Sequence, residues 1–195
     1  MSDEHATSQL EAELLELDAQ LAAGDASARV ELPGEAWQRL VRLAKGEHLA
    51  RRKPYALAVL ACSATKLNRR APARELYTGE LFTLSRQLAE LVAERFVILS
   101  AMHGVVASDV ELEPYNWQLT ARAAPAWSAV VASALKLELA QQFGKCLWLA
   151  PDTYSRPIAR HDRSLADVGD RPLKGLGIGQ QKARLAELIA EARRS

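Results

Sequence analysis

The stretch YALAVLACSATK, Tyr55 to Lys66, decides how this chain is read. Its first seven residues are apolar or aromatic without a break, and Pro54 forbids a helix running into them from upstream. A strand with one wet face alternates apolar and polar residues. A run with no inner polar residue fits a parallel strand covered on both faces. The small and polar residues that follow, CSATK, mark the strand's end and the start of a loop.

Two more runs of this kind lie downstream, FVILSA (96–101) and KCLWLA (145–150). Helical patterns separate and follow them. One runs from about Gly79 to Glu94, with Leu81, Leu84, Leu88, Leu91 and Val92 on one side. WSAVVASALKLELAQQF (127–143) offers Trp127, Val130, Val131, Ala134, Leu137 and Leu139 for burial, and QQKARLAELIAEARR closes the chain. Residues from 102 to about 124 read as a polar loop. Strand and helix alternate three times, which predicts an α/β fold: a mostly parallel sheet covered by helices, with a βαβαβα core and right-handed crossovers.

Upstream, SQLEAELLELDAQLA (8–22) places Leu10, Leu14, Leu17 and Leu21 on one helical stripe, with Ser8 and Glu11 as a capping box. A second helix is expected from Pro33 to Gly46. Residues 1–53 therefore read as an N-terminal helical extension, an acidic helix then a basic one, and 54–195 as an α/β domain of catalytic type. The first stripe is too short for a coiled coil alone. It docks on the body or pairs two chains in a homodimer.

The 195 residues are 49% hydrophobic and 25% charged, ordinary for a globular chain. No apolar run approaches the roughly 20 residues that span a bilayer. The polar start does not resemble a signal peptide, and Cys62 and Cys146 lack framework spacing, so a cytoplasmic protein with reduced thiols and no membrane partner is expected. Neither CxxC nor HExxH occurs, so no metal and no cofactor is expected. The net charge of +1 hides a pattern. Residues 1–35 hold nine acids against Arg29, whereas 39–74 hold ten bases against Glu47. Such a band attracts polyanions, with Arg51, Arg52, Lys53, Arg69, Arg70 and Arg74 as candidate contacts to a nucleic-acid backbone. Alternatively the acidic head neutralises it within the fold.

In open parallel sheets, ligands bind beyond the carboxyl ends of the strands. Those ends read Cys62-Ser63-Ala64-Thr65-Lys66, Ser100-Ala101-Met102-His103-Gly104 and Pro151-Asp152-Thr153-Tyr154. Together they predict one polar pocket along the sheet's top edge. Ser63, Thr65 and Lys66 have the parts of an anion grip, although no P-loop pattern occurs, and an ordinary self-capping turn is the alternative. Cys62 is a nucleophile or a small packing residue. His103, before a turning Gly104, suits proton transfer near neutral pH or a structural role. Asp109 and Glu113 precede Tyr115, Asn116 and Trp117. Rings stack on a base, an amide reads its edge, and a carboxylate assists at a glycosidic carbon. Alternatively Tyr115 and Trp117 cap the core and Glu113 stays solvated. Gly175, Gly177 and Gly179 do not make a dinucleotide fingerprint.

These motifs carry a resemblance. Cys62-Ser63-Ala64-Thr65-Lys66, Ala73-Arg74-Glu75-Leu76-Tyr77-Thr78-Gly79-Glu80-Leu81-Phe82, Leu99–Gly104, Glu113-Pro114-Tyr115 and Gly175–Gly179 resemble a signature of small bacterial and phage domains of unassigned function. It covers about 55–190. That family is distantly similar to the YaaA peroxide-stress group, which implies DNA association. More remotely it is similar to enzymes acting on the base–sugar bond of nucleic acids.

The favoured expectation is a nucleic-acid base-processing enzyme, most concretely a metal-independent DNA N-glycosylase acting on a modified or damaged base, in repair or phage defence. Glu113, or Asp109, would stabilise charge on the sugar, and His103 would serve the leaving base. Cys62, Ser63, Thr65, Lys66, Tyr77, Ser100, Tyr115, Asn116, Trp117, Asp152 and Tyr154 would bind substrate. The alternatives are a non-catalytic DNA-binding or nucleotide-sensing module and a Cys62 hydrolase. Replacing Arg51 and Arg52 together by Ala is expected to weaken DNA binding and to lower the salt slope by about one for each phosphate no longer neutralised. Titrations at several salt concentrations check this; an unchanged slope means a neutralised face.

Overall fold

The computed structural model describes residues 53–140 and 144–194. The helices expected over 8–22 and 33–46, the expected dimer stripe, and Arg51 and Arg52 lie outside them.

The decisive stretch forms β1 (Tyr55–Ala61). A loop then carries a two-residue strand, β2 (Ala71–Pro72), and a single helical turn, α1 (Ala73–Leu76). Helix α2 (Glu80–Val92) runs directly into β3 (Ala93–Ser100). Next come β4 (Gly104–Ala107), β5 (Glu111–Leu112) and α3 (Ala124–Ala140). Strand β6 (Cys146–Trp148), α4 (Asp152–His161), a short 3-10 turn and α5 (Ile178–Arg194) complete the described chain.

The main sheet has the order β4-β3-β1-β6. Strand β1 is parallel to both β3 and β6, and β4 returns antiparallel on the outer edge of β3. The α/β class and the mostly parallel sheet are therefore as the apolar runs predict. Alternate side chains of the inner strands serve two cores. Ala58, Leu60, Phe96, Ile98, Leu147 and Leu149 pack with Leu88 of α2 and with Leu185 and Ile189 of α5. Leu57, Val59, Val97, Leu99, Cys146 and Trp148 pack with Val131 and Leu135 of α3 and with Ile158 of α4. Leu57 to Leu60 are fully buried, which explains the missing polar alternation. Truncating any one of these large side chains costs about 2–5 kcal/mol.

Three expectations are corrected. Residues 102–124 are not one loop: Gly104 at φ +74 closes a tight hairpin into β4, and β5 pairs with β2 in a second small sheet. Pro151–Tyr154 is not an open strand end but the start of α4, whose four-residue spacing is hidden by Pro157 and a polar sequence. Finally, α3 begins three residues early, with the Thr120 carbonyl receiving the N–H groups of Ala123 and Ala124. It also leaves Val130 and Leu137 exposed.

The outer edge of β6 is covered by the segment at Gly169 and Asp170. Asp170 N–H donates to the Cys146 carbonyl at 2.9 Å, and Trp148 N–H to the Asp170 carbonyl at 2.8 Å. Covering an edge in this way removes a site for wrong pairing. Gly169 has φ +71, and a Cβ there would sit 2.2 Å from the Cys146 carbonyl oxygen. Gly169→Ala is expected to lower unfolding free energy by about 2 kcal/mol or more, from backbone strain plus the forced shift of β6. Denaturant unfolding followed by tryptophan fluorescence checks it.

Candidate functional site

Connections from neighbouring strands leave the sheet on opposite faces at β1 and β6. The chain after β1 leads to α2 on one face; the chain after β6 enters α4 on the other. Such a reversal opens a crevice at the strands' carboxyl ends. Here it holds a cavity of about 260 Å³, bordered by Ala61–Thr65, Gly79–Phe82, Ser85, Leu149, Pro151 and Lys182.

The loop after β1 is closed on itself. Lys66 and Tyr77 form an antiparallel bridge, Leu67 N–H donates to the Leu76 carbonyl at 2.8 Å, and Thr78 N–H to the Thr65 carbonyl at 3.1 Å. Ser63 Oγ donates to the Thr65 carbonyl at 2.6 Å and accepts the Gly79 N–H at 3.1 Å. A Cβ on Gly79 would stand 2.7 Å from Ser63 Cβ, so this closure needs glycine. The pinched segment between carries Arg69, Arg70 and Arg74 in solvent.

On the other side of Cys62, side chains from all three predicted strand ends form a ring of contacts. Cys62 Sγ lies 3.2 Å from the Tyr154 hydroxyl. Tyr154 packs edge-on against Trp127, whose Nε1–H donates to the Ser100 carbonyl at 2.9 Å. Ser100 Oγ is 2.8 Å from the Tyr115 hydroxyl, which is 2.9 Å from that of Tyr77. Ser100 Oγ also accepts the N–H groups of His103 (3.0 Å) and Met102 (3.3 Å). With both lone pairs engaged, its proton goes to Tyr115, and Tyr115 in turn donates to Tyr77. Lys66 closes the ring, its Nζ 4.2 Å from the centre of the Tyr115 ring.

This cluster is electrostatically joined. Burial lowers the Lys66 pKa, and a nearby Cys62 charge opposes the shift. Burial raises the phenols of Tyr77, Tyr115 and Tyr154, and negative charge on Cys62 raises all three further. The phenols therefore stay protonated at neutral pH and act as hydrogen-bond donors.

Several expected roles change in this geometry. Lys66 does not reach outward: Nζ donates to the Ser63 and Ala64 carbonyls and faces aromatic rings. Tyr77 is 2% exposed and packs edge-on against Phe82, so it is a wall and not a stacking face. The Tyr115 ring is occupied by Lys66 on its face and by His103 at 5.0 Å. Asp152 is bonded to Arg156 and lines a separate groove between α3 and α4. Asp109 sits at the turn before β5, and Glu113 and Asn116 are exposed. Trp117 keeps 56% of its surface in solvent.

Sequence reading missed Ser85, Trp127 and Lys182 as site residues. Ser85 had a local signal, as a polar residue beside Leu81, Leu84 and Leu88 on an apolar helix side. Lys182 had none, since only the packing of α5 on α2 brings it to Glu80.

Residues 57–187 match the DUF6884 domain, described as a family of unknown function. The chain belongs to that family. No curated protein and no solved structure matches it. The family span begins within β1 and ends within α5, so it takes in the crevice, the ring of contacts and Lys182. Among the described residues, no helix is long and apolar enough to cross a membrane, and no three His, Cys, Asp or Glu side chains are grouped to hold a metal ion.

Cys62 is partly exposed, whereas Cys146 is 5% exposed and its thiol is pushed up to about 11 by burial. A thiol-alkylating reagent at pH 8 is therefore expected to modify Cys62 well before Cys146. Peptide mass spectrometry over a time course checks the order.

Proposed function

We propose that this member of the DUF6884 family processes a nucleic-acid base as an N-glycosylase-type hydrolase. The observation that carries the reading is the contrast between Tyr115 and Trp117. Tyr115 is anchored by its hydroxyl in the ring at the strand ends. Trp117, two residues on, is an exposed large aromatic. Two residues span at most about 7 Å, so Trp117 is near enough along the chain for its exposed indole to serve the site by stacking on a base. Glu113 lies the same number of residues on the other side of the anchor.

In this reading, the C–N bond to the base breaks with its electron pair leaving on the base. The Glu113 carboxylate stabilises positive charge growing on the sugar and orients the water that replaces the base. His103, against the Tyr115 ring, supplies the proton to the departing base. The backbone is held by Arg69, Arg70 and Arg74. Arg70 and Arg74 meet Glu111 and Glu75 only at 3.7 Å in solvent, pairs weak enough to yield to phosphates. The expected distant similarity of the family to the YaaA group, which implies DNA association, agrees with the same class of substrate. The second reading is a non-catalytic DNA-binding or nucleotide-sensing module, and the hydrogen bond of partly exposed Cys62 to Tyr154 keeps thiol chemistry as a third.

Duplexes with normal, uracil-containing, hydroxymethylated or glucosylated bases, incubated with the protein and then alkali, separate these. Abasic-site breaks are expected on at least one substrate. Glu113→Gln should cut their rate by about 10²-fold or more while preserving binding. Trp117→Ala should weaken binding by about 1–3 kcal/mol. Binding without breaks on any duplex favours the second reading, and loss of breaks in Cys62→Ala favours the third.

A further inference from the structure

The crevice between the ends of β1 and β6 is bordered by a hydroxyl that makes no hydrogen bond to the described residues. Ser85 borders the cavity with only 3% of its surface exposed. Among the described residues its hydroxyl has no hydrogen-bond partner. Helical serines normally return this bond to their own backbone, as Ser128 and Ser133 do here. The Ser85 hydroxyl is not one of the enclosed unpaired polar atoms of the described residues, so it opens to the cavity and is free to pair with what enters there.

The rest of the cavity restricts what that is. Its walls are apolar: Ala61, Leu81, Phe82, Leu149 and Pro151. Of its other polar side chains, Thr65 and Glu80 are exposed, and Ser63 and Lys182 are engaged. Ser63 ties the loop closed, and Lys182 bridges to Glu80 between α5 and α2. A phosphate would lose its hydration against apolar walls, beside a lysine already neutralised by Glu80. A purely aliphatic group would leave Ser85 orphaned. At about 260 Å³ the space is below that of a pocket for a drug-sized ligand and suits one flat ring system.

We propose that this cavity receives a planar heterocyclic base, whose polar edge pairs with the Ser85 hydroxyl at the apolar wall. The hydroxyl can both donate and accept, so it matches an edge bearing adjacent N–H and C=O groups. Cys62 borders this cavity and, through Tyr154, the ring of phenols beside it. The assignment rests on the base-processing reading and names where the extruded base lodges.

The test is binding of free bases (uracil, cytosine, 5-hydroxymethylcytosine, adenine, guanine) to the full chain, measured by ligand-observed NMR or calorimetry. At least one base should bind, and inorganic phosphate should not compete with it. Ser85→Ala, which keeps the fold, should weaken that binding about tenfold through the missing hydrogen bond. Ser85→Leu, which fills the cavity, should abolish it, with folding checked by circular dichroism. The proposal is overturned if no base binds, if phosphate displaces the base, or if both Ser85 variants bind as the parent does. Because free bases need no bond cleavage, this readout is separate from the abasic-site assay. Breaks that persist in Ser85→Leu would overturn the pocket and leave the glycosylase reading standing. Base binding without breaks would do the reverse.

Discussion

The structure depends on a strand held from every side. Strand β1 is bonded along one edge to β3 and along the other to β6, and its inner residues Leu57 to Leu60 face a core on each side. A strand with no wet face must have helices above and below. That requirement places α2 and α5 on one side and α3 and α4 on the other. It also places the chain's exit from β1 at the one edge of the sheet where all three parallel strands end. Cys62 N–H is still held by the Leu99 carbonyl at 3.0 Å, so the first residue past β1 retains the sheet's rigidity.

What is built on that edge has two compartments sharing Cys62. One is a ring of phenols, an indole and an ammonium, in which each polar group is partnered. The other is a mostly apolar cavity bordered by the Ser85 hydroxyl, which makes no hydrogen bond to the described residues. The contrast matters because a satisfied polar network rigidifies a site, whereas a hydroxyl open to a cavity can pair with what enters it. Lys66 belongs to the first kind. Its carbonyl contacts and aromatic neighbours make it a brace for the loop after β1, and its lowered pKa follows from that partial burial. Ser85 belongs to the second.

The strands and the helices between them were legible in the sequence because their cause is local. Apolar runs without polar alternation, and leucines at helical spacing, record burial directly. The places that were not legible depended on partners far along the chain. Helix α4 hides behind Pro157 and a polar composition, and its identity comes from burying Ser155 and Ile158 beneath Trp148 and α3. The residues 102–124 looked like a loop because two-residue strands such as β2 and β5 carry too little pattern to recognise alone. Within the site, Cys62, Ser100, Tyr115 and Tyr154 meet because topology brings the strand ends together, and the apolar runs already mark those ends. Asp152 was misplaced because helix α4 turns it away to Arg156.

By itself, the sequence determined the class of fold, the position of the central strand and the edge at which polar chemistry gathers. These follow from hydrophobic periodicity and from the chirality of strand–helix–strand connections, both of which act over short stretches. Tertiary structure alone decided which polar groups are engaged and which remain open. Whether Lys66 points to a ligand or to Tyr115, and whether Ser85 has a partner, depends on distances between segments many residues apart. No local pattern encodes those distances, because they result from packing whole helices against both faces of the sheet.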